Sequence, residues 1–315
     1  MKIVSLLPSA TELLCGIGLR EQLVGVSHEC DYPASVRDLP VVTRSRIPPG
    51  LASRAIDTLV TEQLESDAAL YSLEMDRLMA LAPDLIVTQA LCDVCAVSGN
   101  EVARALDRLP GQPRVVNLEP VCLDDVLATV DRVAEAAGVP AAGRCYGARL
   151  RDRIDRVGAR SGAIPRSRRP RVALLDWLDP LFDGGHWCPE LIELAGGRPC
   201  LGDRQTPSRR RTWTDLVDSA PEVIVIALCG FDIDRSLTDV ERFFADPRFG
   251  RLWRTCRPRV YLVDGNAYFS RPGPRLVDSL EIMAHALHPS LHPLPAGLAP
   301  ALAMNPEQTL ENDHG

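Results

Sequence analysis

The feature that most constrains the fold of this chain is a helix-to-strand unit that occurs twice. It reads MDRLMALAPDLIVTQ over residues 75–89 and TWTDLVDSAPEVIVIA over residues 212–227. In both copies an amphipathic helix pattern meets Ala-Pro-acid and then a β-branched run, which predicts a helix followed by a buried strand. Because the two copies occur in the same order in each half, the sequence predicts two related α/β lobes.

The remaining punctuation places these lobes along the chain. Each half opens on a short apolar strand pattern, over residues 3–7 and 172–175. The first is followed by a turn at Pro8-Ser9 and a helix pattern to Cys15. Apolar residues at helical spacing from Leu123 to about Gly158, interrupted at Gly138-Val139-Pro140, predict a helical connector. The predicted fold class is α/β, with two Rossmann-like lobes, parallel sheets and a long backbone helix between them. The predicted segments are an N-terminal lobe (1–120), the connecting helix (121–160), a C-terminal lobe (161–288) and a flexible tail (289–315).

Composition and charge narrow the functional classes. The chain has 35 Lys+Arg against 42 Asp+Glu, for a net charge of -7, which argues against nucleic acid as a partner. No apolar run approaches the roughly 18 residues of a membrane span, so we expect a protein that does not cross a membrane. We also expect a monomer. Between Lys2 and Pro8 lies only the short, mainly apolar run Ile3 to Leu7. A secretory signal needs an apolar core of about 7–15 residues, so this run is too short. This predicts a cytoplasmic location, unless the start codon is misplaced and the protein is exported.

Chemically distinctive residues follow the predicted strands. Ligands of open parallel sheets bind outside the carboxyl ends of the strands. Aromatic residues make up only 5% of the chain, yet many fall in six post-strand loops beside His, Cys and Asp. Aromatic walls with a few polar groups are typical of a small-molecule site, although the aromatics could instead cap the sheet ends as core. These loops supply the candidate ligand-binding residues Pro8, Ser9, Asp31, His186, Cys229 and Phe231. His186 lies in Gly184-Gly185-His186-Trp187, which we expect to be a flexible loop before a helix, and it could contact a bound metal complex or cap that helix.

Cysteine and histidine residues also predict a metal centre in the first lobe. His28-x-Cys30 and Cys92-x-x-Cys95 end two strands of that lobe, and three thiolates with one imidazole suit tetrahedral Zn²⁺ or an iron site. The alternatives are a thiol or redox role, or cysteines that merely line an apolar loop. No G-x-S-x-G, P-loop or H-E-x-x-H motif is present, which favours binding over catalysis. A metal- or thiol-dependent enzyme built on His28, Cys30, Cys92 and Cys95 is the alternative.

A family resemblance rests on three groups of residues. They are Ser-Leu-Leu-Pro-Ser-Ala-Thr-Glu-Leu over residues 5–13, Gly25-Val26-Ser27 with Asp31-Tyr32-Pro33, and Leu-Ala-Pro-Asp-Leu-Ile-Val over residues 81–87. Over roughly residues 2–287 the chain resembles the vitamin B12-binding proteins of ABC importers, within a wider family that includes binders of iron–siderophores and haem. The resemblance implies two lobes on one rigid helix, with a corrinoid or related metal chelate between them.

The resemblance also implies roles for individual residues. Tyr32 would pack on the corrin ring, and Asp31 would pair with its amides. The opposing wall would consist of Phe182, Trp187, Tyr268, Phe269 and Arg271. Asp76 and Asp215 are the acids that would dock an ABC permease. We expect two departures from the importer proteins, the lack of a leader and the Cys92-x-x-Cys95 loop. The expected function is therefore non-catalytic binding, as a cytoplasmic carrier or scavenger or as an importer-type binding protein.

Overall fold

The computed structural model describes residues 1–65, 70–89, 105–106 and 108–306. It contains two compact units, and each is described by itself. The first consists of Met1–Pro120, Asp124–Arg151 and Pro272–Pro274, and the second of Val121–Leu123, Asp152–Arg271 and Arg275–Gly315. In the described part of the chain, no helix combines the length and apolar character needed to cross a bilayer.

The first unit is built on a four-stranded parallel sheet. Its strands are β1 (Ile3–Ser5), β2 (Leu23–Val26), β5 (Leu85–Thr88) and β6 (Arg114–Asn117), in the order β2-β1-β5-β6. A small antiparallel pair is formed by β3 (Thr43–Ser45) and β4 (Tyr71–Leu73). The helices described in full before the connector include α1 (Pro8–Gly16), α2 (Ser53–Glu65) and α3 (Met75–Leu81).

The core of this unit follows from the apolar runs of the sequence. All four residues of β5 are buried, as expected for a central parallel strand. Leu78 of α3 is fully buried and packs in one cluster with Val4 and Ile86 from two neighbouring strands. This packing attaches the helix of the repeated unit to the face of the sheet.

The predicted connector is two helices. α4 spans Leu123–Ala136 and α5 spans Pro140–Gly162, so the predicted interruption at Gly138-Val139-Pro140 is confirmed. Gly138 has a φ of 75°, which L-residues rarely adopt, and Pro140 is the first residue of the next helix, where its missing N–H costs nothing. α5 contributes residues to both units, since the boundary between them falls after Arg151.

The second unit has a larger, mixed sheet. It contains β7 (Arg171–Leu178), β8 (Leu181–Asp183), β9 (Arg198–Pro199), β10 (Val223–Ile226), β11 (Arg259–Leu262) and β12 (Leu302–Met304). The order is β12-β11-β10-β7-β8, with β9 also paired to β7. The strands β7, β9, β10 and β11 are parallel to one another, whereas β8 pairs antiparallel with β7 and β12 pairs antiparallel with β11.

Helices cover the second sheet and bury its apolar residues. They are α6 (Cys188–Leu194), α7 (Trp213–Asp218), α8 (Ile233–Ala245), α9 (Pro247–Cys256) and α10 (Leu276–Leu287). Every residue of β10 is buried, and Phe243, Phe244 and Phe249 pack in the same cluster as Ile224. Both copies of the predicted helix-to-strand unit therefore have the expected structure.

The described part of the predicted flexible tail contains a strand. β12 pairs with β11, so Leu302–Met304 are part of the second sheet. The side chain of His292 is 2% exposed, and its Nε2 lies 3.0 Å from the Ser161 Oγ. A three-residue edge strand needs no sequence periodicity, and the prolines around it obscured the pattern.

Candidate functional site

The exposed ring of Tyr32 is the most accessible aromatic group. It follows β2 in the first unit and is 49% exposed, whereas every other Phe, Trp and Tyr side chain among the described residues is buried or half-buried. The preceding residue, Asp31, is half-buried, and its carbonyl accepts a hydrogen bond from the Arg37 Nε over 3.1 Å. Because transfer of an aromatic ring from water to an apolar surface is favourable, the exposed Tyr32 ring is suited to contact an apolar ligand surface.

Pro8 and Ser9 lie where β1 ends and α1 begins. Ser9 is 2% exposed, and its Oγ has no hydrogen-bond partner within the described residues. A Cβ placed on Gly273 would come within 2.7 Å of the Ser9 Cβ, so that glycine packs directly on the turn. Pro8 is half-buried and starts the helix. The predicted strand–turn–helix is present, and the role of these two residues in ligand binding stays a prediction.

His28 and Cys30 each have separate hydrogen-bond partners. The His28 Nδ1 lies 2.6 Å from the Thr43 Oγ1, and the Cys30 Sγ lies 3.1 Å from the Thr11 Oγ1. Burial lowers the pKa of His28, while Glu29 raises it, so the imidazole is biased towards its neutral form. Both side chains are thus held by hydroxyl groups.

Two of the four predicted metal ligands, His28 and Cys30, are among the described residues. Cys92 and Cys95 lie outside the described residues. Within those residues, no group of three or more His, Cys, Asp or Glu side chains is arranged to hold a metal ion. The zinc or iron site with His28 and Cys30 therefore stays a prediction.

Phe182 lies in a strand and not in a post-strand loop. The predicted strand ended before Asp176, but β7 continues to Leu178 and turns back into β8, which contains Phe182. The Arg210 guanidinium lies 5.7 Å from the centre of its half-buried ring. The hairpin therefore determines which way Phe182 faces.

Asp176 extends the strand because its carboxyl group is accommodated in the interior. The Ser208 hydroxyl donates to its Oδ2, and the Gly185 amide donates to the same Ser208 oxygen over 3.1 Å. Burial, with a further contribution from the Asp183 carboxylate, raises the pKa of Asp176 to about 7, against the opposing effects of the bonds from Ser208 and Gly185. Asp183 itself is paired with Arg211 over 2.5 Å.

The Gly184-Gly185-His186-Trp187 segment is closely packed, contrary to the expectation of a flexible loop. A Cβ on Gly185 would lie 2.4 Å from the Thr206 carbonyl oxygen, so only glycine fits there. His186 has a φ of 49°, and its amide donates to the same Thr206 carbonyl over 2.6 Å. Trp187, and not His186, is the N-cap residue of α6, and the Trp187 side chain makes no capping hydrogen bond.

The His186 imidazole is half-buried and faces Trp187. The two rings stack with their centres 5.4 Å apart. Burial lowers the pKa of His186, which keeps the ring neutral at physiological pH. The Nδ1 atom has no hydrogen-bond partner among the described residues. A neutral imidazole with an unused nitrogen is the form that ligates metal ions.

Trp187 and Phe269 are interior residues, not an exposed wall. Trp187 is 6% exposed and Phe269 is 2% exposed. The Trp187 indole Nε1 donates to the Phe269 carbonyl over 2.9 Å. This bond ties the loop before α6 to the loop after β11.

The loop after β11 presents Tyr268 and Arg271. Residues Gly265–Phe269 form a π-helical turn that begins at Asp264, whose Oδ1 accepts from the Ala267 amide over 2.7 Å. Arg271 is 6% exposed, and its Nη2 donates to the Asn266 Oδ1 over 3.1 Å. Sequence reasoning missed Arg275, whose guanidinium lies 4.5 Å from the centre of the half-buried Tyr268 ring.

A second aromatic group lies at the ends of β7 and β10. The Phe231 ring is 5.0 Å from that of Trp177, and the Arg235 guanidinium lies 4.2 Å from the Phe231 ring. Cys229 is exposed beside them, and its amide donates to the Asp176 carbonyl over 3.0 Å. Trp177 and Arg235 were not predicted, although Trp177 directly follows the apolar run of β7.

The two predicted docking acids have different local structures. Asp76 is exposed in the first turn of α3. Asp215 is exposed too, but its carboxylate accepts from the Thr212 amide over 2.7 Å and from its hydroxyl over 2.8 Å, in a capping box of α7. These bonds lower the pKa of Asp215. Docking of a permease through these acids stays a prediction.

Comparison with known proteins agrees with this architecture. A family model described as periplasmic binding protein matches residues 3–264. The vitamin B12-binding protein of Yersinia pestis (strain Pestoides F) is 26% identical over 230 residues, which cover 72% of this chain and 69% of that protein. The resemblance identified from residues 5–13 and 81–87 is confirmed.

Solved structures show the same fold. A periplasmic haem-binding protein from Pseudomonas aeruginosa superposes with a TM-score of 0.68 at 20% identity, covering 96% of this chain and 98% of that one. The periplasmic vitamin B12-binding protein of Vibrio cholerae gives a TM-score of 0.63 at 19% identity, covering 91% of this chain and 96% of that one. The predicted α/β fold class is confirmed.

These relationships correct the predicted location. The family consists of periplasmic proteins, so the expectation of a cytoplasmic location is wrong. That expectation depended on the first strand starting near Met1, which shows where the fold begins and carries no information about the compartment. Family members are binding proteins, not enzymes, and they deliver their ligands to ABC permeases. This chain belongs to the periplasmic binding protein family.

Proposed function

We propose that this protein binds a corrinoid, or a related planar metal chelate such as haem, and presents it to an ABC permease. The proposal is supported by the family and by the 26% identical relative that binds vitamin B12. The observation that carries it is the exposed Tyr32 ring in the loop that follows the parallel strand β2. Burying about 100 Å² of such a ring against a macrocycle would contribute about 2–3 kcal/mol.

Residues of the second unit suit the same class of ligand. Tyr268 and Phe231 each have a guanidinium group against the ring, from Arg275 and Arg235 respectively. A corrinoid has amide side chains and haem has propionates, and both are hydrogen-bond acceptors for a guanidinium group. An aromatic face with an adjacent cation therefore fits the apolar plane and the polar margin of either chelate.

His186 adds a feature specific to a metal complex. Its lowered pKa keeps the imidazole neutral, and its Nδ1 is unused among the described residues. We propose that His186 reaches the metal of the bound chelate. Because the surrounding loop is closely packed, the ring would be held in place before the ligand arrives.

The proposal is tested by titrating the ligand-free protein with cyanocobalamin, dicyanocobinamide and haemin, by calorimetry and by visible spectroscopy. At least one should bind one-to-one at micromolar concentration or more tightly. The Tyr32→Ala variant should weaken that binding by about 30-fold, as expected for about 2 kcal/mol of lost ring burial. The Tyr261→Ala variant, altered on β11, is the matched control and should bind like the wild type.

The spectrum provides the second readout. His186→Ala should shift the visible absorption of the bound chelate, because an imidazole ligand changes the electronic states of the metal. If none of the three chelates binds at micromolar concentration, the proposal is wrong. Equal losses in Tyr32→Ala and Tyr261→Ala would also contradict it, since the effect would then not be local to the predicted site.

A further inference from the structure

A basic cavity lies at the amino-terminal ends of two strands of the second sheet. It has a volume of about 690 Å³, and its wall includes Arg166, Arg169, Arg171 and Arg198. Arg171 is the first residue of β7 and Arg198 the first of β9. The cavity is therefore at the amino-terminal ends of these strands, whereas the aromatic loops of this unit follow their carboxyl-terminal ends.

Main-chain carbonyls hold three of these guanidinium groups in place. Arg169 donates to the carbonyls of Ile164 over 3.2 Å and Ser161 over 3.0 Å. The Arg171 Nε donates to the Ser219 carbonyl over 3.1 Å, and the Arg198 Nε donates to the Arg169 carbonyl over 2.9 Å. A carbonyl carries no net charge, so these bonds fix the orientation of the side chains without neutralising them.

The nearby carboxylates do not balance this charge. Glu193 lies in the cavity wall but is paired with Arg204, which is outside the wall. Glu222 is 3.8 Å from the Arg198 guanidinium and accepts a hydrogen bond from the Arg171 amide over 2.8 Å. The wall thus contains four guanidinium groups and one carboxylate, that of Glu193, and Glu222 lies close to two of the four.

The local sequence has the same bias. Residues 156–171 contain six arginines and no acidic residue, in a chain whose net charge is -7. Arg166 is exposed at the start of the turn Arg166–Arg168. A concentrated positive site on an acidic protein attracts anions selectively to that site.

We propose that this cavity binds a small anion that bears phosphate groups or several carboxylates. The planar fork of arginine matches the oxygens of both groups and forms paired, charge-assisted hydrogen bonds with them. The side chains are already oriented, which lowers the entropy lost on binding. The volume is in the range of small-molecule sites, about 300–1,000 Å³. This site is separate from the one proposed for the metal chelate.

The test uses calorimetric titration of the full chain with pyrophosphate and with citrate, at about 150 mM salt so that diffuse attraction is screened. Arg166→Ala removes an exposed cavity residue, and Arg168→Ala removes its exposed neighbour on the same turn, which is outside the wall. Arg166→Ala should weaken binding by about tenfold or more, and Arg168→Ala by less than about twofold.

Vesicles distinguish a lipid headgroup from a free anion. Phosphatidylglycerol vesicles are compared with neutral phosphatidylcholine vesicles for the same two variants. Binding of either the free anions or the anionic vesicles that depends on Arg166 and not on Arg168 supports the site and identifies its ligand source. Equal dependence on both arginines, or no binding of any anion at millimolar concentration, overturns the proposal. Chelate binding should be unchanged in Arg166→Ala, so the two proposed sites succeed or fail separately.

Discussion

The main-chain amide of Lys2 donates to the Asp84 carboxylate over 2.7 Å. The second unit contains the same contact, in which the Arg171 amide donates to the Glu222 carboxylate over 2.8 Å. In return, the amides of Asp84 and Glu222 donate to the carbonyls of Lys2 and Arg171, over 2.8 and 2.9 Å. The acid of each Ala-Pro-acid sequence therefore holds the start of the strand that follows it against the start of the first strand. In the first compact unit these strands are β5 and β1, and in the second they are β10 and β7.

The basic side chains complete this equivalence. The Lys2 Nζ donates to the Leu81 carbonyl over 3.2 Å, and the Arg171 Nε donates to the Ser219 carbonyl over 3.1 Å. Leu81 and Ser219 each lie two residues before the proline of the repeated unit. The alanines between them, Ala82 and Ala220, have φ values of 45° and 43°. The repeat seen in the sequence is thus also a repeat of hydrogen bonds.

We expect each of these acids to stabilise its unit. Asp84→Ala and Glu222→Ala should each lower the free energy of unfolding by about 1–2 kcal/mol, because a charge-assisted bond to a main-chain amide is lost. Asp38→Ala, a change at an exposed acid, is the control. Urea denaturation followed by circular dichroism measures the effect. A Glu222→Ala protein as stable as the control would show that the contact has no energetic role.

The fold was predictable where a strand is central and apolar. The β-branched run that ends the first copy of the repeated unit forms β5, an inner strand of the first sheet whose four residues are all buried. β7 was predicted too short, since Asp176 interrupts the apolar pattern although its carboxyl is held in the interior by Ser208. β12 was missed because a three-residue edge strand has no detectable period.

The site was predictable only in its position along the chain. The loops after β2, β10 and β11 do contain Tyr32, Phe231 and Tyr268. Spacing does not show which way a side chain turns, so Trp187 and Phe269 were expected at the surface and are buried. For Trp187 the only guide to burial is chemical, because a buried indole needs an acceptor for its N–H.

The bond between Trp187 and the Phe269 carbonyl gives a second prediction. Trp187→Phe keeps an aromatic ring but removes the indole N–H, so the buried carbonyl loses its donor. The free energy of unfolding should fall by about 1–3 kcal/mol. Trp253→Phe, at a half-buried tryptophan that stacks on Phe249, is the control and should have a smaller effect. Similar losses in the two variants, measured by urea denaturation, would assign the effect to ring size alone.

Asp176 should make stability depend on pH. Its pKa is about 7 in the folded protein and 3.8 as a free side chain, so between these values the folded state binds the extra proton. Stability should therefore fall as the pH rises from about 4 to 7, by at most about 4 kcal/mol from this group. Asp176→Asn should remove this component, because an amide does not titrate.

The measurement is the free energy of unfolding in urea from pH 4 to pH 8, taken as the difference between variant and wild type. Relative to wild type, Asp176→Asn should become progressively more stable as the pH rises. Asp38→Asn serves as the exposed control. A pH-independent difference for Asp176→Asn would mean that the carboxyl of Asp176 is not protonated in the folded protein.

His292 should act in the opposite direction. Burial, together with the neighbouring His288, Arg160 and His285, lowers its pKa from 6.5 to about 4. Because the folded state resists protonation, the stability that His292 contributes is present above pH 6.5 and is lost as the pH falls towards 4.

The variant His292→Gln should lose this dependence, so that its deficit relative to wild type shrinks as the pH is lowered from 7 to 4. Ser161→Ala removes the hydroxyl 3.0 Å from the His292 Nε2 but keeps the imidazole, and it should retain a pH-dependent stability. Urea denaturation at several pH values distinguishes the two variants. If His292→Gln differs from wild type by a constant amount over this range, the imidazole is protonated equally in the folded and unfolded states, and its burial has no effect on acid stability.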